Sequence, residues 1–146
     1  MKRFLCFLLL PALLLGLMGC KSQVTIDYGT STLYTKADMD EAMQLIRQEF
    51  DTWKGCELHS IRYLSDDSCN DKNLSWMNEL AAARGQDATF TQCIFFESSF
   101  HSPKKGEDAG AWNPDEEYTG WQWCLARTVC YIFSIFCTGK KVGTFQ

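Results

Sequence analysis

Two stretches of alternating aromatic residues constrain this chain most. In "ATFTQCIFFESSFH", residues 88–101, Phe90, Ile94, Phe96 and Phe100 recur at even spacing. In "YTGWQWCLAR", residues 118–127, Trp121, Trp123 and Leu125 do the same. Side chains two apart on a strand share a face, so each stretch predicts a strand with one heavily apolar side. "CELHSIRYL", residues 56–64, is short, β-branched and aromatic, and reads as a third strand. A cover for these faces is available upstream. In "TKADMDEAMQLIRQEFDTWKG", Met39, Ala42, Met43, Ile46, Phe50 and Trp53 fall at three- and four-residue intervals on one face of a helix over about 36–53. Thr35 and Asp38 form a capping box before it, and Gly55 suits its end. A second helix is predicted at "KNLSWMNELAAARG", with Leu74, Met77, Leu80 and Ala81 as its stripe and Gly85 as its stop. This order of elements predicts an α+β fold: both helices packed on one face of a small antiparallel sheet. Phe90, Ile94, Phe96, Trp121, Trp123, Ile46 and Phe50 are expected to be buried together.

The start of the chain speaks to location. "MKR" is basic, "FLCFLLLPALLLGLM" is an apolar run of about 15 residues, and "GC" follows. A bilayer core needs roughly 20 helical residues, so the run is too short to span it and reads as an export signal over residues 1–19. "LMGC" resembles the bacterial lipobox, departing from its commonest form at Met18. The resemblance implies that Cys20 receives a diacylglycerol thioether and becomes the mature N-terminus, outside the cytoplasm and held to the cell membrane. The two acyl chains give the second hold that stable anchoring requires. Removing residues 1–19 from 146 leaves 127, enough for one domain with its own core. The signal takes Lys2 and Arg3 with it, leaving 12 basic against 18 acidic side chains, a balance that argues against nucleic acid as a partner. Residues 20–34, rich in Ser and Thr, read as the lipidated cysteine and a tether with a short extended piece at "QVTIDY". Fully stretched, such a tether lifts the domain by up to about 45 Å. The single domain is then expected over 35–137, with an unstructured tail over 138–146.

"YT-KADMDEAMQLI", "GCELHSIRY" and "EYTGWQWCLAR" together resemble a family of small, uncharacterised bacterial lipoproteins. Its pattern is a lipobox, a Ser/Thr tether, a helix opening with Tyr-Thr, a Gly-Cys strand and a late N-x-x-Y-x-x-W-Q-W strand. Tyr118, Trp121, Gln122 and Trp123 match that last motif, with Asn113 two residues further upstream than its Asn. The resemblance covers nearly all of 34–127 and implies location and fold, with no activity attached. This chain departs from the pattern at Cys124 and after Arg127.

Candidate chemistry is sparse. Cys56 and His59, or Cys93 and His101, lack the paired spacing of a zinc site, and no metal or other cofactor is implied. Six cysteines besides Cys20 permit three bridges, yet a core this aromatic needs none, and at most one is expected. The binding candidates are aromatic. Trp112 lies in the long connection 102–116, Trp76 stands beside the stripe of the second helix, and Tyr118 is expected opposite Trp121 and Trp123. Exposed rings of this kind stack on sugars or anchor protein partners. The alternative for Trp112 is a lid folded back over the sheet edge. Two functions follow: a surface module binding a sugar, a small ligand or a protein, and a thiol-dependent hydrolase using Cys93 or Cys56 with a histidine. No catalytic residue is assigned.

The segment "VCYIFSIFC", residues 129–137, fits least well. It is apolar on both faces, which a sheet covered on one side cannot bury. Two explanations stand: a reading shifted out of frame from the third base of the Val129 codon, which yields a Leu-rich, Trp-bearing ending like that of the family, or a divergent but genuine last strand.

Overall fold

The computed structural model describes residues 23–129 and 133–140. The expected export signal and lipid-bearing Cys20, together with Cys130 and residues 141–146, lie outside them. The elements run β1 (Thr25–Asp27), α1 (Lys36–Phe50), β2 (Glu57–Tyr63), α2 (Asp71–Ala83), β3 (Gln92–His101), β4 (Glu117–Arg127) and β5 (Phe133–Lys140). The fold is α+β, and the five strands lie in one sheet in sequence order. β2 to β5 form an antiparallel meander, and β1 joins the β2 edge in parallel. The sheet is therefore mixed, where a purely antiparallel one was expected. Among the described residues no helix is long and apolar enough to cross a membrane.

The two helices occupy opposite faces, correcting the expectation that both lie on one. α1 starts at the Thr35–Asp38 capping box, with Asp38 N–H donating to the Thr35 hydroxyl and the Asp38 carboxylate accepting from Thr35 N–H. Its stripe of Met39, Ala42, Met43, Ile46 and Phe50 packs on Ile61, Tyr63, Ile94, Phe96, Phe100, Trp123, Leu125 and Phe133. α2 begins at Asn70, whose side chain accepts from Asn73 N–H, and buries Met77 and Ala81 against Phe90, Cys93, Phe95, Cys124 and Ala126. These strand positions are the odd residues of β3 and the even residues of β4, hence the reverse side. Phe90 belongs to this second cluster, contrary to the expected one. It lies upstream of the first β3 residue, in a bend held by Asn78, which bonds Phe90 N–H and C=O through its side-chain amide. The strand parity that placed Phe90 with Phe96 does not extend through that bend.

Residues 24–34, expected as tether, belong to the domain. Thr25, Ile26 and Asp27 pair with Ser60, Ile61 and Arg62. The Asp66 carboxylate then accepts from the Ser31 hydroxyl and from the Thr32 N–H and hydroxyl. Tyr34 is buried and donates its hydroxyl to Cys93 C=O at 2.6 Å. The terminal segment from Phe133 forms β5, which runs to Lys140, past the expected start of the tail. Phe133 is buried and Ser134 exposed, so this part alternates as a one-faced strand does. Cys124 is disulfide-bonded and faces Cys137 in the strand register. Cys56, Cys69 and Cys93 are free thiols.

Candidate functional site

At one end of the sheet, called here the lower end, the aromatic residues gather. The last turn of α1 brings Phe50 down, and the following turn carries Trp53 inward though the helix has ended. Trp53 stacks on Trp123 at 5.2 Å between centroids, with an interplanar angle of 19°. Trp112 closes over this group, at 5.1 Å from each of Trp53, Phe100 and Trp121. Gly55 makes the closure possible. Its backbone is left-handed, with φ of 74°, and a Cβ there would stand 2.9 Å from Pro103 Cγ, so the 102–116 loop can press against the turn. Trp112 is thus the lid on the core, half-buried.

Tyr118 shares the face of Trp121 and Trp123, against expectation. Ser98 pairs with Trp121 and Phe100 with Tyr118, leaving two β4 residues between these partners against one on β3. This bulge contains Gly120 at φ of 66°, and one extra residue reverses the parity of everything before it. Tyr118 therefore stacks on Phe100 at 5.0 Å and accepts from Asn113 N–H at 3.1 Å. Most of the N-x-x-Y-x-x-W-Q-W residues thus have packing roles. Asn113 and Tyr118 secure the loop, Trp123 fills the core and donates its Nε1–H to Ser98 Oγ at 2.9 Å, and Trp121, expected in the core, is only half-buried against it. Trp76 is 41% exposed on α2, on the other side of the sheet. The three candidate rings do not form one site.

Cys93 is far from both histidines, and Cys56, beside Glu57 opposite His101, makes no hydrogen bond to either. Cys93 and His101 stand at opposite ends of β3, about 25 Å apart for eight residues of strand. His59, in the β2 bulge, lies 3.1 Å from Glu117, and His101 contacts Ser102 C=O and Asp115. Burial raises the thiol pKa of Cys56 and pushes that of Cys93 up to about 12, away from the reactive thiolate. Among the described residues no cluster of three His, Cys, Asp or Glu side chains could hold a metal ion.

What remains is the part of the reverse face that α2 leaves open. There a trough of about 340 Å³ runs across β1, β2, β3 and β4. Ser60, Arg62, Glu97, Ser99, Thr119 and Asp27 line it. Arg62 Nη2 donates to Glu97 Oε2 at 2.7 Å, and the Ser60 and Ser99 hydroxyls are 2.6 Å apart. At Gly120 the trough meets backbone without a side chain, with nothing within 4 Å of where a Cβ would stand. The wall offers hydroxyls, a guanidinium and two carboxylates, those of Asp27 and Glu97. This is equipment for hydrogen bonding, with no activated nucleophile among the lining residues. The sequence reading passed over these residues, although one signal pointed to them. Ser60 and Arg62 alternate with core positions on β2, as Glu97 and Ser99 do on β3.

Comparison with protein-family models, with curated proteins and with solved structures finds no match to this chain.

Proposed function

We propose that this chain is an extracytoplasmic lipoprotein, anchored to the cell membrane through Cys20, whose domain binds a small polar ligand in the trough on the open sheet face. The observation that carries the reading is the asymmetry of the sheet. α1 covers the apolar face, whereas α2 covers only part of the reverse face and leaves a hydroxyl-lined hollow beside it. At about 340 Å³ the hollow falls at the small end of ligand sites, which span about 300–1,000 Å³. Polar side chains on its wall suit a ligand held by hydrogen bonds, and a short carbohydrate fits that chemistry best. Serine and threonine hydroxyls donate and accept in turn, and the Arg62–Glu97 pair presents one donor fork and one acceptor.

Two experiments test the reading. An array of short glycans is probed with wild-type protein and with Arg62→Gln and Ser99→Val variants. Binding of one glycan class, lost in both variants while their melting temperatures hold, is expected; no binding, or binding unaffected by the substitutions, refutes the trough. For the anchor, metabolic labelling with a fatty-acid analogue should mark the wild type and not Cys20→Ser. Equal labelling and equal membrane retention would end the lipoprotein reading.

A further inference from the structure

The way the chain enters the domain limits how the domain stands on a membrane. β1 is parallel to β2, with Thr25 opposite Ser60 and Asp27 opposite Arg62. Followed backwards from Thr25, β1 therefore points towards the lower end, where Glu57, His101 and Glu117 are paired side by side. The 102–116 loop lies at that end. The opposite, upper end carries Tyr63, Gln92 and Arg127, together with the connection from α2 to β3 around Gln86.

Reach follows from covalent geometry. Val24 is half-buried against the core, and the chain after it is fixed by β1, by Asp66 and by Tyr34. Four residue steps separate Val24 from Cys20, a span of at most about 14 Å. The eleven residues of β4 make a strand about 35 Å long. Val24 sits level with about His59, and the Arg127 end of β4 stands about eight residues of strand, about 25 Å, above it, so a link this short cannot carry a lipid on Cys20 to that end, nor across the sheet to β5.

Resting on the reading of Cys20 as the lipidated residue, we infer that the domain stands with its β1 edge and 102–116 loop next to the lipid headgroups. The Gln86 end points away. Thr25, on the wall of the trough, then lies within about 17 Å of the anchor. The trough accordingly opens within reach of groups presented at the membrane surface. Charge does not hold this arrangement. The loop carries Lys104 and Lys105 against Glu107, Asp108, Asp115 and Glu116, a balance that anionic lipid does not attract. The proximity comes from the length of the link, so it is insensitive to salt.

The test uses the lipidated mature protein in phosphatidylcholine vesicles containing a headgroup-labelled acceptor lipid. A donor dye is attached through a clickable amino acid substituted at Lys105 or, separately, at Gln86; both positions are exposed. Mass spectrometry of the N-terminal peptide first establishes what Cys20 carries. Energy transfer from position 105 should exceed that from position 86 several-fold and be unchanged at high salt. A long Gly/Ser insert after Lys21 should abolish the difference. Equal transfer from both positions, or more from 86, in protein bearing lipid on Cys20 overturns this inference alone. A mature chain with no lipid on Cys20 overturns the anchor reading as well.

Discussion

Replacing Tyr34 decides whether the segment before α1 is a tether or part of the domain. In a solvated tether the substitution would fall within about 0.5 kcal/mol of wild type, as surface changes do. In the structure Tyr34 is 8% exposed, lies edge-on to Tyr63 at 6.4 Å and tilts against Phe133 at 6.1 Å. The Arg127 guanidinium stands 5.8 Å from its centroid. Truncating a buried aromatic ring costs about 3–5 kcal/mol, so Tyr34→Ala is expected in that range. The hydroxyl contributes separately. Tyr34→Phe keeps the ring and removes only the bond to Cys93 C=O, for about 1 kcal/mol. Urea denaturation followed by tryptophan fluorescence reads both, since Trp53 and Trp123 report on the core. With a slope of about 1.5 kcal/mol per molar urea, the Ala variant loses about 2–3 M at its midpoint and the Phe variant about 0.7 M. A domain of this size has about 5–15 kcal/mol in hand, so the Phe variant stays measurable even if the Ala variant is unfolded at the outset. If both variants melt with wild type, Tyr34 is not packed. If both lose the same amount, the hydrogen bond outweighs the ring and the packing argument fails.

Phe96, fully buried between α1 and the sheet, should lose about 3–5 kcal/mol on truncation to Ala, and a loss below about 1 kcal/mol in the same assay would show that the strand faces are reversed. Acid should destabilise the domain. Hydrogen bonds from the Ser31 hydroxyl and then Thr32 N–H hold the Asp66 carboxyl well below its usual range, and Thr35 followed by Arg127 lowers Asp38. A depressed folded pKa gives stability that is present above the unfolded value of about 3.9 and is lost as pH falls through the lower folded value. Melting temperature should therefore drop below about pH 4, and Asp66→Asn should flatten that drop; an unchanged profile in the variant would remove Asp66 from the account. A stop after Val129 deletes β5, empties the buried Phe133 site beneath Arg127 and bares the β4 edge. Loss of the cooperative transition is expected, and a truncated chain that melts like wild type would exclude the terminal segment from the fold.

Elements with a sustained period were legible in the sequence. α1 carries its capping box and stripe within one continuous stretch, and the structure places both as expected. What escaped depends on single residues that break a period. Gly120 adds one residue to β4 and moves Tyr118 to the opposite face, while the bend at Phe90 shifts that ring to the other core. A bulge costs little to insert and leaves no compositional mark beyond a glycine, so spacing at two cannot reveal it. The role of residues 24–34 escaped for a different reason. Their bonds run to Ser60, Asp66 and Cys93, and each is a contact between segments distant in sequence. Short polar segments look like tethers until their partners are known.

The candidate site carries no aromatic mark in the sequence. Large rings have the strongest apolar drive, and these are the residues the core takes first. Trp112 and Tyr118 followed that drive into the lower aromatic cluster. The residues left for solvent were those whose burial would cost most, Ser60, Arg62, Glu97 and Ser99, alternating with the core along β2 and β3. Both helices were expected on one face, which made the reverse side look like an ordinary wet surface. Once α2 is seen to cover part of that side, the rest of it becomes a bounded hollow. The second apolar stripe was already visible in Cys93, Phe95, Cys124 and Ala126. Apolar residues at both parities over one end of a strand require cover on both sides there, whereas polar residues at one parity over the other end require none. The boundary between those two patterns, near Phe95 and Glu97, is where the helix stops and the trough begins.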